Sequence, residues 1–158
     1  MNKVTNVKFA GLGGQGILTC TDILGRVVFD QGIDVKKAEV HGMSQRGGSI
    51  TSDLRFGDKV LSPMISAGQA DFLVVMGEDQ IEANQHFLKD GGILVKPSDF
   101  EVDKLTNKRT LNVALLGALS RHLEFPVELW MKAIRAQLPE RLHEVNEKAF
   151  MLGRGEAA

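Results

Sequence analysis

The stretch FAGLGGQGILT, Phe9 to Thr19, constrains this chain more than any other segment. An apolar run leads into Gly11, Gly13 and Gly16 at the spacing G-x-G-x-x-G, and Ile17, Cys20, Leu24, Val27 and Val28 then recur at helical intervals until Gly32. A strand running through a glycine turn into a helix is the opening of an α/β fold. In that setting backbone N–H groups of the turn come close to an anion, and the helix dipole favours negative charge. Gly13, Gly14, Gln15 and Gly16 are therefore candidate N–H donors, and a side chain at Gly13 or Gly16 is expected to obstruct the turn. The same glycines also allow plain close packing of strand on helix. A full dinucleotide fingerprint further asks for an acidic residue about twenty positions on, at the end of the second strand. Glu39 is the only good candidate.

Apolar runs alternate with helical patterns over the first two thirds of the chain, predicting a Rossmann-like α/β fold with a mostly parallel sheet. Strands are expected near Asn6–Leu12, Val35–Val40, Phe72–Met76 and Ile93–Lys96, with a helix over Gln80–Lys89 closed by Gly91-Gly92. Ile50, Ser52, Leu54 and Phe56 alternate with polar neighbours before Gly57-Asp58, which reads as an added hairpin turning at that pair. Beyond Asn112 the pattern becomes wholly helical: Val113–Leu123, Leu129–Leu138 between two prolines, and Leu142–Leu152 form a helical C-terminal part. At 158 residues the whole chain, 1–158, is expected to form a single domain.

Charge and cysteine content narrow the chemistry. A formal net charge of −1 gives no global attraction to nucleic acid or to an anionic membrane. Apolar runs such as FLVVM are too short to span a bilayer, and the polar start MNKVTN does not resemble a signal peptide, so a cytoplasmic location is expected. Cys20 is the only cysteine and falls on the apolar stripe of the first helix. One thiolate cannot hold an iron–sulfur cluster, and the dispersed histidines offer no paired metal ligands.

A second motif, EVHGMSQRGGSI, places His41, Gly42, Met43, Ser44, Gln45, Arg46, Gly47 and Gly48 between the second strand and the expected hairpin. Arg46 carries a planar fork suited to phosphate or carboxylate, and Ser44 and Gln45 offer adaptable hydrogen bonds. His41 is a candidate proton carrier near neutral pH, or a structural histidine at a strand end. Glu78 and Asp79 follow a strand at the ligand-binding edge of such sheets, where they equally serve as N-terminal helix stabilisers.

GLGGQGILT followed by AEVHGMSQRGGSI, then SPMISAGQADFLVVMGEDQIEA, NVALLGALS and VNEKAF, resembles the gamma-type domain of the 2-oxoacid:ferredoxin oxidoreductases, most nearly in its indolepyruvate branch. The resemblance implies a subunit of a thiamine diphosphate-dependent enzyme that converts a 2-oxoacid, of the arylpyruvate kind such as indolepyruvate, to an acyl-coenzyme A and passes electrons to ferredoxin. It implies that thiamine diphosphate, magnesium and the iron–sulfur clusters lie on a large catalytic alpha subunit, that coenzyme A is a cosubstrate, and that this chain by itself binds no cofactor and is inactive alone. The two glycine motifs, Gly13 to Gly16 and His41 to Gly48, would then face the large subunit or the coenzyme A route. None of their residues is expected to be an acid–base catalyst. The alternatives are a free-standing nucleotide- or coenzyme A-binding regulatory module on the same fold and, third, a flavin or nicotinamide reductase. One departure from the family stands out. Only sixteen residues separate Val95 from Asn112, where relatives usually carry another strand and helix, so the sheet is one unit smaller or this stretch is irregular.

Overall fold

The computed structural model describes residues 3–41 and 48–156. Strand β1 (Val4–Leu12) ends in the glycine turn and is followed by α1 (Ile17–Asp30), β2 (Asp34–His41) and β3 (Ser49–Gly57). Next come β4 (Ala70–Val75), the short α2 (Ile81–Asn84), β5 (Leu88–Val95) and the three C-terminal helices α3 (Leu111–Ser120), α4 (Val127–Gln137) and α5 (His143–Arg154). The sheet order is β2-β3-β1-β4-β5. β3 is antiparallel to both β2 and β1, while β4 is parallel to β1 and β5 to β4. Four strands therefore run one way and β3 alone is reversed, which gives the expected mostly parallel sheet with an inserted hairpin.

The hairpin differs from the sequence reading in its turn. β3 pairs back onto β2, so the reversal falls between His41 and Ser49 rather than at Gly57-Asp58, and residues 58–69 contain no strand. The expected helix over Gln80–Lys89 shrinks to single turns of 3-10 and α-helix that end at Phe87. Leu88 and Lys89 already belong to β5, and Gly91-Gly92 lies within that strand, where the pairing with β4 slips between Ala70 and Phe72. A glycine pair accommodates such an irregularity as readily as it ends a helix, so the sequence signal was ambiguous. The short stretch before Asn112 is irregular, built from 3-10 turns at Pro97–Asp99, Val102–Lys104 and Lys108–Thr110.

The four longer helices share one core with one face of the sheet: Val7, Phe9, Leu54, Phe56, Phe72 and Val74 pack with the apolar stripes of α1, α3, α4 and α5. α3 is buried from Asn112 to Ser120 because it lies among the sheet, α1 and α5, which explains an apolar segment with no polar face. Its crossing with α5 brings backbones into contact. A Cβ on Gly117 would overlap the Phe150 carbonyl, and one on Gly153 would overlap the Ala114 carbonyl. The opposite face of the sheet carries Ala10, Leu73 and Val75 under Ile81, Leu88 and Leu94.

Beside that smaller cluster lies a buried ion pair. Lys8 Nζ stands 2.7 Å from Asp53 Oδ1 and 3.8 Å from the centre of the Phe87 ring, both charged side chains being almost wholly buried. The other oxygen of Asp53 accepts the Ile65 N–H at 2.8 Å, so the pair anchors the 58–69 segment across the sheet. Removing one partner strands a buried charge, which costs about 3–5 kcal/mol. Lys8→Met should therefore lower the denaturation free energy by roughly that amount. Lys8→Met combined with Asp53→Asn, which keeps an acceptor for Ile65, should recover much of the loss. Equal losses in the single and double variants, measured by chemical denaturation, would show that the pair is not the anchor. Gly153→Ala should be among the most damaging small substitutions, because backbone cannot move aside as a side chain can, and its thermal midpoint should fall accordingly.

Candidate functional site

The glycine turn sits at the carboxyl ends of β1 and β4, the edge at which open α/β sheets bind ligands. Each glycine has its own reason. Gly14 and Gly16 have φ of 86° and 79°, the left-handed region that L side chains avoid. Gly11 is closely packed: a Cβ there would stand 2.7 Å from Gln15 Oε1 and 2.8 Å from side-chain carbons of Ile17 and Met76. Gly13 has neither constraint among the described residues, since its φ is not in the left-handed region and a Cβ would meet only the tip of Ile50 there at 3.8 Å. The described residues therefore do not obstruct a small side chain at Gly13, against the expectation that any side chain there blocks the turn.

Two of the four expected donors are already engaged. The Gly13 N–H donates to the Gly48 carbonyl at 3.3 Å, and the Gln15 N–H to the Leu12 carbonyl at 3.2 Å. Gln15 also turns its side chain inward, its Oε1 accepting the Leu12 N–H at 2.7 Å. The Gly14 and Gly16 N–H groups have no partner among the described residues, and α1 begins with neither a side-chain cap nor an acidic residue in its first turn. The positive end of α1 therefore has no capping partner among the described residues.

The bond from Gly13 to Gly48 brings the two glycine motifs together. Register does the rest, with Leu12 opposite Ser49 and His41 opposite Ile50. His41 is largely exposed with its Nε2 3.9 Å from Glu39 Oε2. Gly42, Met43, Ser44, Gln45, Arg46 and Gly47 lie outside the described residues. Glu39 cannot serve as the ribose acid of a dinucleotide site, because β3 stands between β2 and β1 and takes the neighbouring position that the fingerprint requires.

Facing the turn, a cleft of about 540 Å³ opens between Gly14–Gly16, Met76 and the segment from Lys108 to Asn112. Asn112 joins its two walls: Nδ2 donates to the Gly16 carbonyl at 3.1 Å, and its own carbonyl accepts the Cys20 thiol at 3.2 Å. A Cβ on Gly16 would overlap that Asn112 amide. Sequence reasoning singled out Asn112 as part of a motif without a role and passed over Lys108 and Arg109. The available signal was a pair of adjacent cations immediately before a helix with no polar face.

The residues present do not suit an iron–sulfur cluster. Burial pushes the Cys20 thiol far up from its ordinary pKa, and the thiol is spent on the Asn112 carbonyl. Among the described residues no group of three His, Cys, Asp or Glu side chains is placed to hold a metal ion. No described helix is long and apolar enough to cross a membrane.

The roles of the glycines separate under substitution. Gly16→Ala should cost more than about 2 kcal/mol, from left-handed strain together with the clash on Asn112. Gly13→Ala should leave the thermal midpoint unchanged or slightly raised. A Gly13→Ala protein as unstable as Gly16→Ala would mean that the turn is tighter than its geometry states.

Comparison with known proteins places this arrangement. The family model described as pyruvate ferredoxin/flavodoxin oxidoreductase matches residues 6–101. A protein of Pyrococcus horikoshii named indolepyruvate oxidoreductase subunit IorB is 34% identical over 193 aligned positions, covering 96% of this chain and 95% of the relative. Those positions outnumber the 158 residues here, so the relative carries insertions that this chain lacks. Among solved structures, the gamma subunit of a keto/oxoacid ferredoxin oxidoreductase from Geobacter sulfurreducens superimposes with a TM-score of 0.81 at 24% identity, covering 97% of this chain and 98% of that one. A 2-oxoglutarate:ferredoxin oxidoreductase from Magnetococcus marinus, solved with 2-oxoglutarate, coenzyme A and succinyl-CoA bound, matches with a TM-score of 0.82 at 19% identity over 98% of this chain and 31% of its own. With more than half its length matched by the family model and almost all of it by the Pyrococcus relative, the chain belongs to the pyruvate ferredoxin/flavodoxin oxidoreductase family.

Proposed function

We propose that this chain is the non-cofactor-carrying subunit of a thiamine diphosphate-dependent 2-oxoacid:ferredoxin oxidoreductase. Its substrate is an arylpyruvate such as indolepyruvate, decarboxylated oxidatively to the acyl-coenzyme A. The observation that carries this reading is near full-length similarity to proteins named indolepyruvate oxidoreductase subunits, together with a chain that has a single, buried cysteine. Thiamine diphosphate supplies the nucleophile that attacks the 2-oxoacid, and it belongs with magnesium and the clusters on a large alpha subunit that also meets ferredoxin.

This chain contributes a rigid sheet end. Its glycine turn, with His41 and Gly48 at the ends of the neighbouring strands and the cleft beside the turn, lies at one edge, which faces the large subunit and the path of coenzyme A. Gly14 and Gly16 offer N–H groups there that have no partner among the described residues. Gly13 lets another backbone come near, a use its fold does not account for. Arg46 supplies a charge-assisted contact from the loop, with Ser44 and Gln45 beside it, and the whole chain 1–158 acts as one domain in the cytoplasm.

The purified chain should not oxidise indolepyruvate even with thiamine diphosphate and magnesium. Mixed with a thiamine- and cluster-bearing large subunit, it should give coenzyme A-dependent reduction of ferredoxin. Arg46→Ala should impair that assembled activity far more than it lowers the melting temperature, and Arg46→Lys should restore only part, because a point charge does not replace a fork. Decarboxylation by the chain alone would overturn the subunit reading. Tight binding of NADH or FAD to the isolated chain would favour a free-standing dinucleotide module instead.

A further inference from the structure

The two edges of the sheet are built differently. β5 slips against β4 beside its Gly91-Gly92 pair, whereas β2 pairs with β3 in unbroken register from Asp34 opposite Gly57 to His41 opposite Ile50, and contains no proline. On its outer side β2 meets no strand among the described residues, and no backbone hydrogen bond from that side reaches another described segment. An edge this long and regular is a template for a further strand. Apolar side chains gather along it. Of the five large ones exposed among the described residues, three border β2: Val40 within it, Phe29 at the groove of about 570 Å³ that α1 forms with Val35 and Lys37, and Leu61. Leu61 is held beside the strand by Val60, whose N–H donates to Asp34 Oδ2 at 2.7 Å and whose carbonyl accepts Lys36 Nζ at 2.6 Å.

The sequence of this edge, DVKKAEVH, specifies what fits against it. A closed dimer that joins β2 to a second β2 does so about a two-fold axis perpendicular to the sheet, which makes the pairing antiparallel. Opposite residues of such a pair share a face, so the axis passes through a residue and not between two. Two centres give the longest overlap of Asp34–His41 with itself, Lys37 and Ala38. With the axis at Lys37 two lysines meet directly, which is destabilising. With the axis at Ala38 two small side chains meet instead, and Lys37 faces Glu39 of the second copy on both sides of the axis. Beyond them Lys36 faces Val40 and Val35 faces His41. Both charges lie at the surface, Lys37 beside Asp22 and Glu39 with its Oε2 3.9 Å from His41 Nε2.

We propose that β2 is the interface for a second copy of this chain, with the two five-stranded sheets joined into one across a two-fold axis at Ala38. Charge complementarity selects that occupant: in the one register of longest overlap that avoids facing lysines, the strand supplies both members of each ion pair. The apolar side chains along the edge, Phe29, Val40 and Leu61, are covered in the same step. The interface runs along the side of the sheet rather than across its glycine-turn end, so it goes beyond the subunit reading and does not rest on it.

Sedimentation equilibrium of the full chain should show a dimer at micromolar concentration. Lys37→Glu and Glu39→Lys, each alone, set like charges against one another at both places and should raise the dissociation constant by about tenfold or more. Mixed in equal amounts, the two variants have opposite charges at both places again and should form a mixed dimer about as tightly as the wild type. Melting temperatures of the separate variants check that each is folded. Cross-linking reads the register. Ala38→Cys, on the axis, should oxidise to a covalent dimer, whereas Val40→Cys, more exposed but two pairs away from the axis, should stay monomeric under the same treatment. The buried Cys20 takes no part. A monomer up to millimolar concentration, single variants that associate as the wild type does, no gain on mixing, or faster cross-linking at Val40→Cys would each overturn the proposal. Protection of β2 amides from hydrogen exchange that arises only when a large subunit is added would give the edge to that partner and overturn it equally. Because these measurements use the chain alone, a failure to reconstitute activity with a large subunit removes the subunit reading and leaves a measured dimer standing.

Discussion

The contact between Asn112 and Gly16 ties the site to the rest of the molecule. Gly16 is at once the left-handed residue that ends the turn, the first residue of the α1 cap and the surface on which the Asn112 amide rests. Through the thiol bond from Cys20 to the Asn112 carbonyl, the first turn of α1 is fastened to the start of α3 a second time. α3 cannot drift, because Gly117 and Gly153 let α5 lie against its backbone. The far end of the chain thereby sets the geometry of a turn near its beginning. This is the physical use of the C-terminal helical part: it holds a turn that lies within the first twenty residues.

The reversed strand β3 has an equally large consequence. By entering between β2 and β1 it removes the neighbour relation on which dinucleotide binding depends and carries Glu39 away from the turn. The same insertion delivers Gly48 to Gly13, so that two glycine motifs some thirty residues apart share one edge. A fold that opens like a dinucleotide-binding domain thus loses, by the placement of one strand, the neighbour relation that the fingerprint requires.

Much of the fold was legible from local pattern. The β1-turn-α1 unit, β2, β4 and the three C-terminal helices follow from apolar periodicity and from the glycines and prolines that bound them. The readings that failed were those where one signal serves two structures. Gly91-Gly92 suits a helix end or an irregular strand, and Gly57-Asp58 suits a hairpin turn or a strand end, and only pairing partners decide between them. Within the site, sequence alone marked the glycine turn but assigned its residues equal weight. Gly13, Gly14 and Gly16 differ because one meets only the tip of Ile50 among the described residues, one is fixed by φ, and one is fixed by φ and by an asparagine nearly a hundred residues away.

The sequence by itself determined the β1-turn-α1 opening of the fold and a thiolate count too small for a cluster. One cysteine on an apolar stripe cannot hold an iron–sulfur cluster, and a glycine turn after a strand defines a place where backbone N–H groups lie at the sheet edge. Tertiary structure alone decided that Lys108 and Arg109 belong to that place. They stand in a stretch whose local pattern is only a turn, and their meaning arises from the distance in space to Gly14 and Gly16, which depends on α3 being held by α5 and by Asn112. Local pattern records what each segment prefers; the long-range packing of α3 determines which segments share a cleft.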